Sequence, residues 1–241
     1  HFGSDNPNDY IAGFPMHPHR GIETVTYMLK GSVTHRDSMG NEGTINTGDI
    51  QWMTAGGGLM HEEMPHASAD GMSGLQLWVN LPAKLKMTRP RYQEVAAKNI
   101  PVVEKDGAKV LVIAGEVEGT KGAVTEIYAD PNYLDVTLQP NREFTHAIAS
   151  GHTAFAYLFA GRAAFDDSGE VIESPMLIVF RDGDFVRIKA GDETARFILV
   201  SGKPLNEPVA RYGPFVMNTE EELRESIRDL QRGTFVWTEE K

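Results

Sequence analysis

The sequence contains no cysteine. That removes thiolate metal sites, iron–sulfur clusters, cysteine nucleophiles and disulfides, and nothing speaks for an oxidising compartment. A basic patch is missing as well: 23 Lys and Arg stand against 34 Asp and Glu, a formal net charge of -11. Binding to DNA or to an anionic membrane needs clustered positive charge, so direct contact with either is not expected. No apolar run reaches the length of a membrane span, and no secretory signal pattern is present. These absences together point to an intracellular, cytoplasmic protein. The chain opens at His1 rather than methionine, so its natural start is expected upstream.

What is present is a series of short, alternating or β-branched segments punctuated by Gly, Pro, Asn and Asp. They include residues 22–29, 74–81, 109–117, 133–140, 153–161, 176–180, 185–190 and 195–202. Turn signals every ten or so residues between such segments describe an all-β sandwich or barrel. The tail departs from this pattern. Thr219 and Glu222 form a capping box, Leu223, Ile227 and Leu230 recur at helical spacing, and Gly233 closes the helix. A faint duplication relates the halves, with TGD at 47–49 answered by DGD at 182–184. The stretch 96–107 carries a proline, charges and no periodicity, which predicts a linker between two domains, 1–97 and 105–241, the second including the helix.

Two short motifs carry the chemistry. Alternate side chains of a strand leave the same face, so His17-x-His19 aims two imidazoles at one point, and His61-x-Glu63 repeats that geometry with 41 residues between the two pairs. A few antiparallel strands between them can bring the pairs face to face inside a barrel. Three imidazoles and a carboxylate suit first-row ions such as Fe(II), Ni(II), Cu(II) or Zn(II). A zincin HExxH is excluded, because the next histidine is His66 and Pro65 breaks the helix. Glu23 is the rival carboxylate by strand parity with His17 and His19, or else a group orienting an imidazole. Glu62 should point away from the metal. His35 and His66 read as surface residues or as groups behind the ligands, and His146 as packed or exposed. Trp52, Trp78, Phe14, Met16, Met53 and Met60 read as core and pocket lining. The glycines at 56–58 lack the Lys-Ser/Thr of a phosphate loop and read as a turn needing positive φ or close backbone approach.

The stretches GFPMHPHRGIETVTYMLKG, HRDSMGNEGTINTGDIQWMTAGGGLMHEEMP, GLQLWVNLP and RYGPFVMNTEEEL resemble the pirins, a bicupin family, and the similarity runs over nearly the whole chain. The resemblance implies two tandem cupin (jelly-roll-like) β-barrels with a short C-terminal helix. It implies one iron in the N-terminal cupin held by His17, His19, His61 and Glu63, with Ni, Cu, Zn, Co or Mn as replacements. It also implies a degenerate second cupin, in accord with the lone His146 and His152 there. The activity it implies is a quercetin 2,3-dioxygenase type, in which O2 opens a flavonol and carbon monoxide leaves, with Glu63 as ligand and proton acceptor. The competing expectation is a non-enzymatic, iron-dependent redox-sensing regulator that binds a transcription factor or another protein, nuclear if the source is an animal. A monomer is expected in either case.

Overall fold

The structure is a computed structural model and describes residues 1–128 and 131–238. The chain divides into two compact units, residues 1–98 with 206–241, and residues 99–205. The sequence expectation differs here, since it assigned the tail to the second domain; its last residues, 239–241, lie outside the described ones.

The first unit is two antiparallel sheets. One has five strands, in the order Phe2–Ser4, Met72–Asn80, Ile22–Lys30, Ile50–Thr54 and Arg91–Val95; the other has four, Phe14–His19, Leu59–Pro65, Ser32–Asp37 and Glu42–Asn46. Their facing sides build the core: Tyr10, Met28, Val33, Ile45 and Met72 form one cluster and Met53, Ala55 and Leu59 another. Strand Phe14–His19 lies at a sheet edge, where the missing N–H groups of Pro15 and Pro18 can be tolerated, and its register slips between Phe14 and His17.

The tail belongs to this unit for a chemical reason. Arg20 is buried and donates to Gly57 O (2.8 Å), Ser226 Oγ (3.2 Å), Asp229 Oδ2 (2.9 Å) and Phe235 O (3.0 Å). Lys86 is buried too and donates to Gly21 O, Asn80 Oδ1 and Val216 O. Around these cations Ala210, Phe215, Met217, Leu223 and Phe235 pack together with Met60 and Ile227. The helix runs Glu220–Arg232 with the expected capping box at Thr219 and Glu222 and Gly233 left-handed at its end. It buries Leu223 and Ser226, whereas Leu230 is 38% exposed. Ser226, small and polar, is what lets Arg20 reach the helix face.

The triple glycine serves the same junction. A Cβ on Gly56 would strike Thr88 O and one on Gly58 would strike Phe235 O, and both glycines have positive φ.

The second unit repeats the pairing scheme of the first. Strand Glu143–Ala147 pairs with Phe185–Ala190, which pairs with Arg162–Ala164 and it in turn with Val171–Glu173. Across the barrel, Thr153–Ala160 pairs with both Ala195–Gly202 and Met176–Val179. The same connections run among the corresponding strands of the first unit. By this correspondence Glu143–Ala147 stands where Phe14–His19 stands, and Phe185–Ala190 where Leu59–Pro65 does.

Candidate metal centre

His17 and His19 leave the edge strand on one face and meet His61 from the neighbouring strand, where the register sets His17 directly opposite His61. Ring centroids lie 4.3 Å apart for His17 and His61, 4.9 Å for His17 and His19, and 5.0 Å for His19 and His61. One ring nitrogen from each of the three falls within 4.8 Å of the others. His61 and His19 are buried and His17 is half-buried, so the cluster is open on the His17 side.

Burial, then the neighbouring His17, lowers the pKa of His19 to about 4. Burial, then His19, His17 and His35, lowers that of His61 to about 2. Both rings are neutral near pH 7, with a lone pair free for a metal. Among the described residues, His61 Nε2 is buried without a hydrogen-bond partner, a cost that a metal ion at the centre of the cluster would remove. The donor set therefore fits a first-row transition ion.

Behind the cluster stands a group that the sequence reading placed only loosely. His35 is fully buried, with Nδ1 3.5 Å from His61 Nδ1, Nε2 3.3 Å from Asp37 Oδ2, and its ring against Tyr92 at 4.9 Å. Against the opposing effect of burial, hydrogen bonds from His35, Asn41 and two backbone amides hold Asp37 below the usual carboxylate range. Asp37, His35 and His61 thus form a carboxylate–imidazole line that orients the innermost ring. His66 is instead at the surface, 2.7 Å from Thr34 Oγ1.

Glu63 points inward on the face of His61, as strand parity requires, but it is not among the three clustered ligands. Its two oxygens accept from Thr26 Oγ1 (2.9 Å) and Gln76 Nε2 (2.8 Å). Gln76 in turn accepts from Trp78 Nε1 at 3.3 Å, and the Trp78 ring meets His19 edge-on at 5.2 Å. Glu62 points outward to Arg36, as expected.

Glu23 is on the wrong face. Gly21, at φ 80, turns the chain between the histidine strand and Ile22–Lys30, which belongs to the other sheet, so the parity count does not carry across. Thr26 faces Glu63, which puts even-numbered positions of that strand toward the site and Glu23 on the opposite side, where it accepts from Thr54 Oγ1 at 2.6 Å. Burial raises its pKa, as expected of a carboxyl group held in that layer. Trp52, paired with Val25, shares that outer side, and Met60 packs against the tail rather than lining the site. Phe14 and Met16 are 46% and 48% exposed on the histidine strand, and Trp78 is 36% exposed. The sequence reading allowed His35 as a group behind the ligands and Trp78 as pocket lining, but it did not name Thr26, Asp37 or Gln76, which strand pairing over long sequence separations brings to the same place.

The comparisons with known proteins agree on family and fold. The family model Pirin matches residues 1–79, and the model for the pirin C-terminal cupin domain matches residues 133–236. A pirin-like protein of Solanum lycopersicum is 47% identical over 92% of this chain and 76% of its own length. The "Putative quercetin 2,3-dioxygenase Ta0133" of Thermoplasma acidophilum is 39% identical over 98% of this chain and 97% of its own. The crystal structure of a quercetin 2,3-dioxygenase from Acinetobacter baumannii superposes with a TM-score of 0.85 at 42% identity, over 92% of this chain and 79% of that one. A bacterial pirin from Escherichia coli, solved in complex with nickel(II), shares the fold at 23% identity and a TM-score of 0.64, over 80% of this chain and 76% of that one.

Proposed function

The chain belongs to the pirin family, and from that premise we propose that it is a metal-dependent dioxygenase of the quercetin 2,3-dioxygenase type, working with Fe(II) on a flavonol and O2 and releasing carbon monoxide. The observation that carries this reading is the convergence of three imidazoles, two of them buried, with His61 Nε2 unpartnered at the centre. A first-row ion such as Fe(II), bound by three or four protein groups, would supply a redox-active Lewis acid with positions left for a chelating oxygen ligand and for O2. His17, His19 and His61 would hold it, and Asp37, acting through His35, fixes the ring of His61.

Glu63 is the proposed fourth ligand and the acceptor of the flavonol hydroxyl proton. Thr26 and Gln76 hold it on the site's face with one hydrogen bond to each oxygen, which leaves a further lone pair on each for either part. Trp78 offers a flat, partly exposed indole beside His19, and the Arg211 guanidinium lies over that ring at 5.2 Å. A planar, anionic ligand suits an aromatic face carrying a cation. The similarity to the Acinetobacter baumannii enzyme supports the choice of substrate class.

The test is aerobic incubation of the iron-loaded protein with quercetin, following loss of the flavonol absorbance together with carbon monoxide release per bound metal. Turnover proportional to bound metal is expected. Absence of turnover with Fe, Ni, Cu, Zn, Co and Mn alike would overturn the reading and favour a regulator whose metal charge alters the surface offered to a protein partner.

A further inference from the structure

The second barrel has lost the ligands but not the opening. At the position corresponding to the histidine strand stands Glu143–Ala147, whose inward residues are Phe144 and His146; at the position corresponding to the His61 strand stand the inward residues Val186 and Ile188. One imidazole among apolar groups cannot hold a transition ion. Yet a cavity of about 690 Å³ opens at this place, with Val103, Ala108, Val110 and Val117 also on its walls. That volume is in the range of sites for small organic ligands.

Its walls specify a ligand. The half-buried His146 ring lines the cavity with the buried Phe144 ring stacked parallel to it, 8° between planes and 6.1 Å between centroids, which gives one wall an aromatic character. The rim carries Asp106, Glu116, Glu118 and Glu143 against a single lysine, Lys105. Lys105 is already paired with Glu118 at 2.9 Å, and Glu143 with Arg187 at 3.6 Å. Asp106 and Glu116 hold no close ion pair among the described residues, although Asp106 acts on Lys105 and Glu116 stands opposite Lys121 in the strand register, so acidic groups outnumber basic ones beside an aromatic wall.

We propose that this cavity in the second cupin is a metal-independent binding site for a small planar aromatic amine, its ring against Phe144 and His146 and its ammonium toward Glu116 and Asp106. The charge preference is opposite to that of the first barrel, where Arg211 stands over Trp78.

A matched pair of probes tests it: tryptamine and indole-3-acetate share one ring and carry opposite charge. Each is titrated into zinc-loaded full-length protein while methyl resonances of Val110 and Val117 and ring resonances of His146 are followed by NMR. Tryptamine is expected to shift these signals saturably and to bind at least roughly tenfold more tightly than indole-3-acetate. The double variant Asp106→Asn, Glu116→Gln, both at exposed positions, should lose most of that difference. Equal affinity of the two probes, an unchanged preference in the double variant, shifts confined to His17, His19 and His61, or no shifts at all would overturn the proposal. None of these outcomes bears on turnover of a flavonol at the first barrel.

Discussion

Two carboxylates of the first barrel, Glu63 and Glu23, differ in the face they occupy, and that difference can be measured. Glu63 shares a hydrogen-bonded network with Thr26, Gln76 and Trp78 beside the imidazoles, whereas Glu23 accepts from Thr54 on the far side of its sheet. Glu63→Gln is therefore expected to retain some metal while flavonol turnover falls on the order of a hundred- to ten-thousandfold, the usual effect of removing a general base. Glu23→Gln should leave turnover per bound metal close to the parent, and the two variants are compared by metal analysis and quercetin consumption. His61→Ala should empty the site, while His35→Asn should weaken metal binding by about ten- to a hundredfold, as loss of a group orienting a ligand does. The same rings make the metal-free protein acid-sensitive. The pKa values of His19 and His61 are depressed to about 4 and about 2 in the folded state, against 6.5 in the unfolded chain. Below pH 6.5 the unfolded chain thus binds the extra protons, so stability is fully present above that pH and falls as pH drops toward 4, by up to about 1.4 kcal/mol per pH unit for each ring. Urea midpoints measured from pH 7 to pH 4 should show the decline, and His61→Ala should flatten it.

Among the elements, the C-terminal helix shows how far a local pattern reads correctly and where it stops. The capping box, the span and the closing glycine are all written in adjacent residues, and the structure bears them out. The partner of the helix is not, since Arg20 meets Ser226 and Asp229 across 206 and 209 residues of sequence. For that reason the tail was expected with the second domain, and the stripe was drawn through Leu230 instead of Ser226. The metal motifs follow the same rule. His17-x-His19 and His61-x-Glu63 were legible because strand parity is local, while His35 and Asp37, two apart on Ser32–Asp37, and Gln76 on Met72–Asn80 reach the site through the pairing and packing of strands distant in sequence. Glu23 was misread because one turn at Gly21 resets the parity count. The packing yields a contrast within the helix: Leu223→Ala, at a 3% exposed position, should cost about 2 to 5 kcal/mol, and Leu230→Ala, at 38% exposure, far less. For a chain of this size each kcal/mol moves the melting temperature by roughly 2–4 °C, so calorimetry separates the two. Deleting residues 218–241 should destabilise more than either substitution, because Arg20 would lose three of its four hydrogen-bond partners and the Leu223 and Phe235 side chains would leave their cluster.

At the scale of the whole molecule, one strand-pairing scheme is used twice with different interiors, and the chemistry of the chain follows from that contrast. In the first barrel the inward positions of the two neighbouring strands include His17, His19 and His61, with Glu63 beside them. In the second the corresponding strands present Phe144, His146, Val186 and Ile188. A transition ion needs several nitrogen or oxygen donors within reach of one point, and a single half-buried imidazole stacked on a phenyl ring does not provide them. The acidic groups near His146 do not change this: Glu118 and Glu143 are engaged by Lys105 and Arg187, and Asp106 and Glu116 are exposed on the rim, where water competes for a cation. The protein should therefore bind one transition ion per chain. Elemental analysis of protein purified without chelators or nickel resin, then reloaded with excess Fe(II) or Ni(II) and desalted, checks the number. His61→Ala should bring it close to zero, and His146→Ala should leave it at one. Two tightly held ions per chain, or metal retained at full stoichiometry in His61→Ala, would mean that the second barrel, or another site, supplies ligands that its inward positions do not contain.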